Sequence, residues 1–242
     1  MSLKNLHLNQ IRAVQEFISI NDDSLFNALE RLESSTLLQN LLKQIDQEPC
    51  FKRKNFDSIH DFGFMRVLLG VLTISLCPKK IVETGVLHGL SSAFILAGLE
   101  LNNEKKALTS IDLPSTFELG PAAKDGYDDV LPPSKQPGWV VSNNYNDYWN
   151  LKIASSKEIL PTLKTDSVDI FIHDSDHSYS NVSFELNESL RFVKTGGIIL
   201  CDNLEANSAF TDFVRMRNLQ ALHLPGLVSM KDNDIKFGMF VN

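Results

Sequence analysis

The sequence predicts an α/β fold, with a mostly parallel sheet covered by helices on both faces. Three observations lead there. From residue 80 onward, short apolar runs of strand character alternate with helical stretches, the pattern of parallel strands joined by helical crossovers. Two of those runs, Val168-Asp-Ile-Phe-Ile-His173 and Gly197-Ile-Ile-Leu-Cys201, lead directly into acids, Asp174 and Asp202. A glycine-bearing turn, Glu83-Thr84-Gly85-Val86-Leu87-His88-Gly89, links the first strand to the helix after it.

Taken in order, residues 5–47 read as helices. Leu37, Leu38, Leu41, Leu42 and Ile45 recur at helical spacing, and Asn21-Asp-Asp-Ser24 marks a capped break. Residues 58–76 form a further apolar helical stretch, stopped by Pro78. Strands are predicted at 80–84, 107–111 (ending in Asp112), 150–154, 168–173 and 197–201. Helices are predicted at 90–101, 156–163, 180–194 and 206–218, with right-handed crossovers. The last strand, 235–241, pairs with 222–230 as an antiparallel edge.

This organisation divides the chain into an N-terminal helical extension or cap, 1–77, and an α/β domain, 78–242. Residues 113–150 break the alternation. They hold five of the nine prolines, both tryptophans and three of the four tyrosines. Aromatics at that density argue against disorder and for a lid or substrate wall over the strand ends, with a packed flap as the alternative. The N-terminal helices either pack on the sheet domain, cap the acceptor site or form the face of a homodimer; the first is favoured.

A hydrophobic content of 43% with 22% charged residues fits a globular protein. The net charge of −7 provides no basic stripe for nucleic acid and no attraction to an anionic membrane. No apolar run reaches the ~18 residues of a membrane span, and the N-terminus has no apolar leader, so a cytoplasmic protein is expected. Cys50, Cys77 and Cys201 are scattered without metal-site spacing. Cys77 and Cys201 are expected in the core.

If the 168–173 and 197–201 strands are parallel neighbours, their carboxyl ends lie about 5 Å apart. Asp174, Asp176, Asp202 and Asn203 then cluster, with His177 beside them. So much negative charge is costly without a cation, which points to an all-oxygen metal site with a general base at its edge. The duller readings are a helix cap for Asp174, a loop-holding role for Asp202 and a surface position for His177. His173 reads as a packed strand-end histidine. His60, Asp61 and Arg66 lie just before the sheet, and no spacing ties them to the cluster. In the glycine turn, the backbone lets a ligand approach and the helix N-terminus offers free N–H donors. Its Gly-x-x-x-Gly spacing differs from the Gly-x-Gly-x-x-Gly of dinucleotide binders. Asp112, ending the next strand, sits where an acid chelates ribose hydroxyls.

Taken as an ordered set, Glu83-Thr-Gly85-Val-x-x-Gly89-x-Ser91-Ser92, Asp112, Asp174-Ser-Asp176-His177-Ser-Tyr179 and Gly196-Gly-Ile-Ile-Leu-Cys-Asp202-Asn203 resemble class I S-adenosylmethionine-dependent methyltransferases. The resemblance is nearest to the macrocin and mycinamicin sugar O-methyltransferases and more distant to the catechol and caffeoyl-CoA enzymes. It spans about residues 78–204. It implies a Rossmann-like sheet of seven strands with the last reversed. It implies cofactor contacts from Glu83, Thr84, Gly85, Gly89, Ser91, Ser92, Asp112, Asp174 and Asp176. It also implies Mg²⁺ (or Ca²⁺ or Mn²⁺) held by Asp174, Asp202 and Asn203, and His177 as the base. The chain departs from relatives at Ala154-Ser155-Ser156, where many carry an acid near the adenine. It departs again at Asp202-Asn203, where sugar-modifying members often carry two acids.

The leading expectation is therefore a metal-assisted O-methyltransferase acting on a small hydroxylated acceptor such as a sugar. Three alternatives stand beside it: a metal-independent methyltransferase with His177 as base, a nicotinamide-dependent oxidoreductase, and a non-catalytic binding module on the same fold.

Overall fold

The computed structural model describes residues 2–20, 22–51, 56–114, 131–132, 134–226 and 236–242. Tyr127, the first half of the 113–150 insertion, and residues 227–235 of the predicted edge pair lie outside the described residues. Among those described, no helix is long and apolar enough to cross a membrane.

Three helices open the chain: α1 (Leu3–Phe17), α2 (Ser24–Glu33) and α3 (Thr36–Gln47). Ser2 and Ser35 cap α1 and α3 by accepting from backbone N–H groups one turn on. The predicted 58–76 stretch divides in two. A 3-10 turn over Ile59–Phe62 is followed by Gly63 at φ 93°, and α4 then runs Phe64–Leu76. That backbone angle suits glycine, which is why one apolar stretch becomes two elements. Cys77 is exposed rather than core. It caps α4 in the left-handed region at φ 48°, directly before Pro78.

The α/β part follows the expected order: β1 (Ile81–Thr84), α5 (Leu90–Asn102), β2 (Leu108–Asp112), β3 (Trp149–Ile153), α6 (Ser156–Ile159), β4 (Val168–His173), α7 (Tyr179–Phe192), β5 (Val193–Cys201), α8 (Ala209–Met216), β6 (Ala221–Pro225) and β7 (Lys236–Val241). The seven strands make one sheet in the order β3-β2-β1-β4-β5-β7-β6, with β7 antiparallel to both neighbours. β5 starts four residues earlier than expected and pairs irregularly with β4 between Val168 and Ile170.

Alternation along the strands sorts side chains onto two faces. Ile81, Ile170, Ile172, Ile198 and Leu200 join one core with α1–α5. Val82, Phe171, Ile199 and Phe240 join the other with Leu186 and Phe192 of α7 and Phe210 and Phe213 of α8. The N-terminal helices thus share a core with the sheet. α4 is buried around most of its circumference between them, and a Cβ on its Gly70 would lie 2.7 Å from Leu32 of α2.

Leu32→Ala is expected to cost about 2–5 kcal/mol in urea unfolding, the range for emptying a packed leucine site. A cost below about 1 kcal/mol would mean that α1–α3 form a separately held layer.

Candidate active site

The register of four parallel strands sets the site. Ile111 pairs with Thr84, Thr84 with His173, and His173 with Cys201. The next residue of each strand therefore falls in one row across β2, β1, β4 and β5: Asp112, Gly85, Asp174 and Asp202. Backbone bonds carry the ladder through this row, from Gly85 N to Ile111 O (2.9 Å), Asp174 N to Thr84 O (2.9 Å) and Asp202 N to His173 O (3.0 Å).

Gly85 has no room for a side chain. At φ 81°, a Cβ would sit 1.8 Å from the Asp174 carbonyl oxygen, so the glycine turn rests directly on the end of β4. Gly89, at φ 93°, opens α5 against Gly138 of the insertion. The insertion closes on the same turn through Gly138 N to Leu87 O (2.8 Å) and Trp139 Nε1 to His88 Nδ1 (2.9 Å). The described part of the aromatic insertion is therefore a wall of the turn.

Beneath the turn, Glu83 is fully buried. Its Oε2 accepts from Ser92 and Ser110, both at 2.6 Å, and Trp149 Nε1 donates to Ser110. Its Oε1 has no partner among the described residues. Burial raises the Glu83 pKa against the pull of Ser110, Ser91 and Ser92. Asp112 accepts from Val86 N (3.1 Å) and Leu87 N (2.8 Å) with one oxygen and from Leu113 N (2.7 Å) with the other. Its pKa is also raised, by burial first, against those three bonds.

Asp174 and Asp202 meet at the ends of paired strands as the sequence predicts, near enough to influence each other's ionisation. Burial, then the charge of Asp202, pushes the Asp174 carboxyl well above its usual range, and the Arg66 guanidinium offsets only part of this. Burial raises Asp202 as well, again with Arg66 opposing. No lysine or arginine makes an ion pair within 4.0 Å of either acid among the described residues. His177 Nε2 lies 3.8 Å from Asp174 Oδ1 and accepts from Asn203 Nδ2 at 3.0 Å. An amide nitrogen only donates, so this imidazole nitrogen carries no proton. Burial, then His173, lowers the His177 pKa to about 4. Asn203 sits at φ 51°, a left-handed position asparagine tolerates.

Other expected residues are placed differently. Asp176 is exposed and holds the start of α7, accepting from Ser178 N (3.0 Å) and Ser178 Oγ (2.9 Å). Ser178, not Asp174, is the helix cap. The Thr84 hydroxyl donates to Glu185 at 2.5 Å. Among the described residues, no three His, Cys, Asp or Glu side chains group as metal ligands; Asp174 and Asp202 are two carboxylates, and the third expected ligand is an amide.

Sequence reasoning missed Glu185. It lies on the buried stripe of α7 with Val182, Leu186 and Ser189, and a carboxylate interrupting an apolar stripe was the available signal. Burial would raise its pKa, but bonds led by the one from His173 bring it down to about 2. Arg66 was noted without a role. It stands in the first turn of α4 and donates from Nη1 to Phe62 O at 2.7 Å.

A seven-stranded sheet with a reversed strand inserted beside β5, and a glycine turn and acids at its carboxyl edge, defines the class I methyltransferase architecture. The model of a family described as a methyltransferase domain matches residues 82–204. The chain belongs to this family and is an S-adenosylmethionine-dependent methyltransferase of class I. No curated protein sequence matches it. Solved structures share the fold at low identity. An O-methyltransferase from Bacillus cereus in complex with SAH is 16% identical, with a TM-score of 0.52 and 96% of each chain covered. TomG from Streptomyces achromogenes, an O-methyltransferase involved in tomaymycin synthesis and solved with SAM, is 15% identical, with a TM-score of 0.56 over 86% of this chain and 90% of its own. SAH-bound PaMTH1 from Podospora anserina is 15% identical, with a TM-score of 0.52 over 92% and 97%.

Two outcomes are expected. Gly85→Ala destabilises the protein by about 3 kcal/mol or more, because both the backbone angle and the Asp174 contact forbid a methyl group; a thermal midpoint equal to wild type would contradict the contact. The second concerns acid. With its folded pKa near 4 against an ordinary 6.5, His177 binds fewer protons folded than unfolded. Its stabilising share is full above pH 6.5 and is lost as pH falls towards 4. Glu185, lowered from 4.5 to about 2, contributes above pH 4.5 and is lost between 4.5 and 2. Urea midpoints of His177→Gln should flatten the upper window and leave the lower one.

Proposed function

We propose that this chain transfers a methyl group from S-adenosylmethionine to a hydroxyl of a small polyhydroxylated acceptor, a sugar or glycosylated metabolite, with a divalent cation assisting. The observation that carries this reading is the row of strand ends, which brings the glycine turn, two acids and an unprotonated imidazole nitrogen together. The structural neighbours described as O-methyltransferases support the oxygen acceptor.

Glu83 Oε1, buried without a partner among the described residues, suits the ammonium of the cofactor's methionine end. Gly85, Gly89, Ser91 and Ser92 shape the turn around that end, with Thr84 below. Asp112 retains acceptor capacity for ribose hydroxyls beyond its three backbone bonds. Asp176 would reach the cofactor from the exposed turn before α7.

The donor set fits a hard cation. Burial and the charge of Asp202 strengthen the hold of Asp174 on a proton, and burial does the same at Asp202, which marks a place where positive charge is lacking, and all the proposed ligand atoms are oxygens. Asp174, Asp202 and the Asn203 amide would hold Mg²⁺ or Mn²⁺. Once bound, such an ion acidifies a coordinated hydroxyl. His177 would take the acceptor proton at Nε2, the acceptor hydroxyl replacing Asn203 Nδ2 as its donor. With a pKa near 4 the imidazole is neutral at pH 7 and ready to accept, but too weak a base to ionise an unassisted alcohol. Holding the acceptor oxygen in line with the sulfonium methyl supplies the rest of the rate. On this reading residues 1–77 cap the acceptor side of the 78–242 catalytic domain.

One observation favours the metal-free form of the same reaction: burial and the neighbouring Asp202 push the Asp174 carboxyl towards its protonated form, so a shared proton can replace the cation. One titration tests the cofactor common to both readings, and a second separates them. Calorimetry with SAH is expected to show micromolar binding; none up to millimolar would remove the cofactor assignment. Mn²⁺ is expected to raise the melting midpoint of the wild type and not of Asp202→Asn; equal shifts would leave the acid pair without a metal.

A further inference from the structure

Glu185 is the one carboxylate of α7 that reaches the sheet, and no side chain exposes less of itself to solvent. It receives Thr84 Oγ1 at 2.5 Å from the end of β1 and His173 Nδ1 at 2.7 Å from the end of β4. Ser175 Oγ at 2.8 Å comes from the turn after β4, and Asn181 Nδ2 at 3.2 Å from one helical turn back. Three of those donors adjoin the row of strand ends. Thr84 precedes Gly85, and His173 and Ser175 flank Asp174, the two residues whose backbones touch.

We propose that Glu185 is the positioning residue of this active site: it draws the end of β1, the end of β4 and the 174–178 turn onto one carboxylate, and so fixes the floor on which the cofactor lies and the face that His173 turns to His177. This deepens the methyltransferase reading and rests on it.

The chemistry is that of an acceptor-only group. An ionised carboxylate offers both oxygens to donors, whereas an isosteric amide offers one oxygen and presents hydrogens to whatever faces its nitrogen. Four converging donors cannot all be served by the amide. Because Glu185 only accepts, His173 Nδ1 must carry its hydrogen. Its Nε2 is buried without a partner among the described residues, and its ring stands edge-on to that of His177, with centroids 5.3 Å apart. An ionised carboxylate buried with no lysine or arginine in ion-pair range among the described residues is an expensive way to fill space; a packed apolar side chain would serve stability better. Its four donors make it a device for geometry.

The test is Glu185→Gln in the full chain, with three measurements: SAH affinity by calorimetry, the His173 tautomer by ¹⁵N imidazole NMR, and the melting midpoint. The variant is expected to fold, to bind SAH about tenfold more weakly, and to lose the Nδ1–H signature of His173. A role confined to stability would lower the midpoint and leave the other two unchanged. Affinity within about twofold of wild type, or an unaltered Nδ1–H signature, overturns the proposal. If the glutamine variant does not fold, Ser175→Ala removes the turn's bond to Glu185 together with the one Ser175 accepts from Asn181, and is expected to weaken SAH about threefold; unchanged affinity there overturns it equally. If wild-type protein does not bind SAH, the cofactor reading falls and this inference with it.

Discussion

Asp174 and Asp202 stand against each other at the ends of adjacent strands, largely sheltered from water, with the more distant Arg66 to offset their charge among the described residues. Parallel pairing of β4 with β5 imposes this, since His173 and Cys201 are register partners and each is followed by an acid. A fold does not place like charges together without cost. Either a proton or a cation resolves the repulsion. That choice governs His177, which shares Asn203 with this cluster and is held neutral by its surroundings.

The cofactor side of the site depends on a second constraint, contact between backbones. Gly85 touches Asp174, and Gly89 touches Gly138. The turn after β1 is thereby held between the acid-bearing strand on one side and the aromatic insertion on the other. Trp139 and Trp149 anchor the insertion through their indole N–H groups, one to His88 and the other to Ser110 beneath Glu83. Phe51, ahead of α4, packs on both His88 and Trp139. The N-terminal segment, the insertion and the glycine turn form one connected wall, and the sheet supplies the floor.

The strands and their succession along the chain were legible because each is a short apolar run ending at a turn or an acid, which is a local property. The acid pair was legible for the same reason: strand adjacency converts two sequence positions into one place. Glu185 was not, because its partners at Thr84, His173 and Ser175 come from three segments, and only the packed structure brings them together. The break at Gly63 escaped notice because the residues on both sides are apolar and helical in character, and a positive φ leaves no trace in periodicity. Asp176 looked like a member of the cluster by spacing alone. In the fold it is spent on the start of α7, since a carboxylate two residues before a helix cap finds free N–H and hydroxyl donors at once.

The proposed meeting point of cofactor sulfur, cation and acceptor oxygen is the row formed by Gly85, Asp174 and Asp202. A crystal structure with SAH and Mn²⁺, phased for the anomalous signal of manganese, tests it most directly. The account predicts SAH lying over Gly85 with its sulfur facing the acid pair, and a manganese peak between the Asp174 and Asp202 carboxylates within reach of Asn203. SAH seated away from the Gly85 turn, or the Arg66 guanidinium filling the space between the two acids, would contradict it.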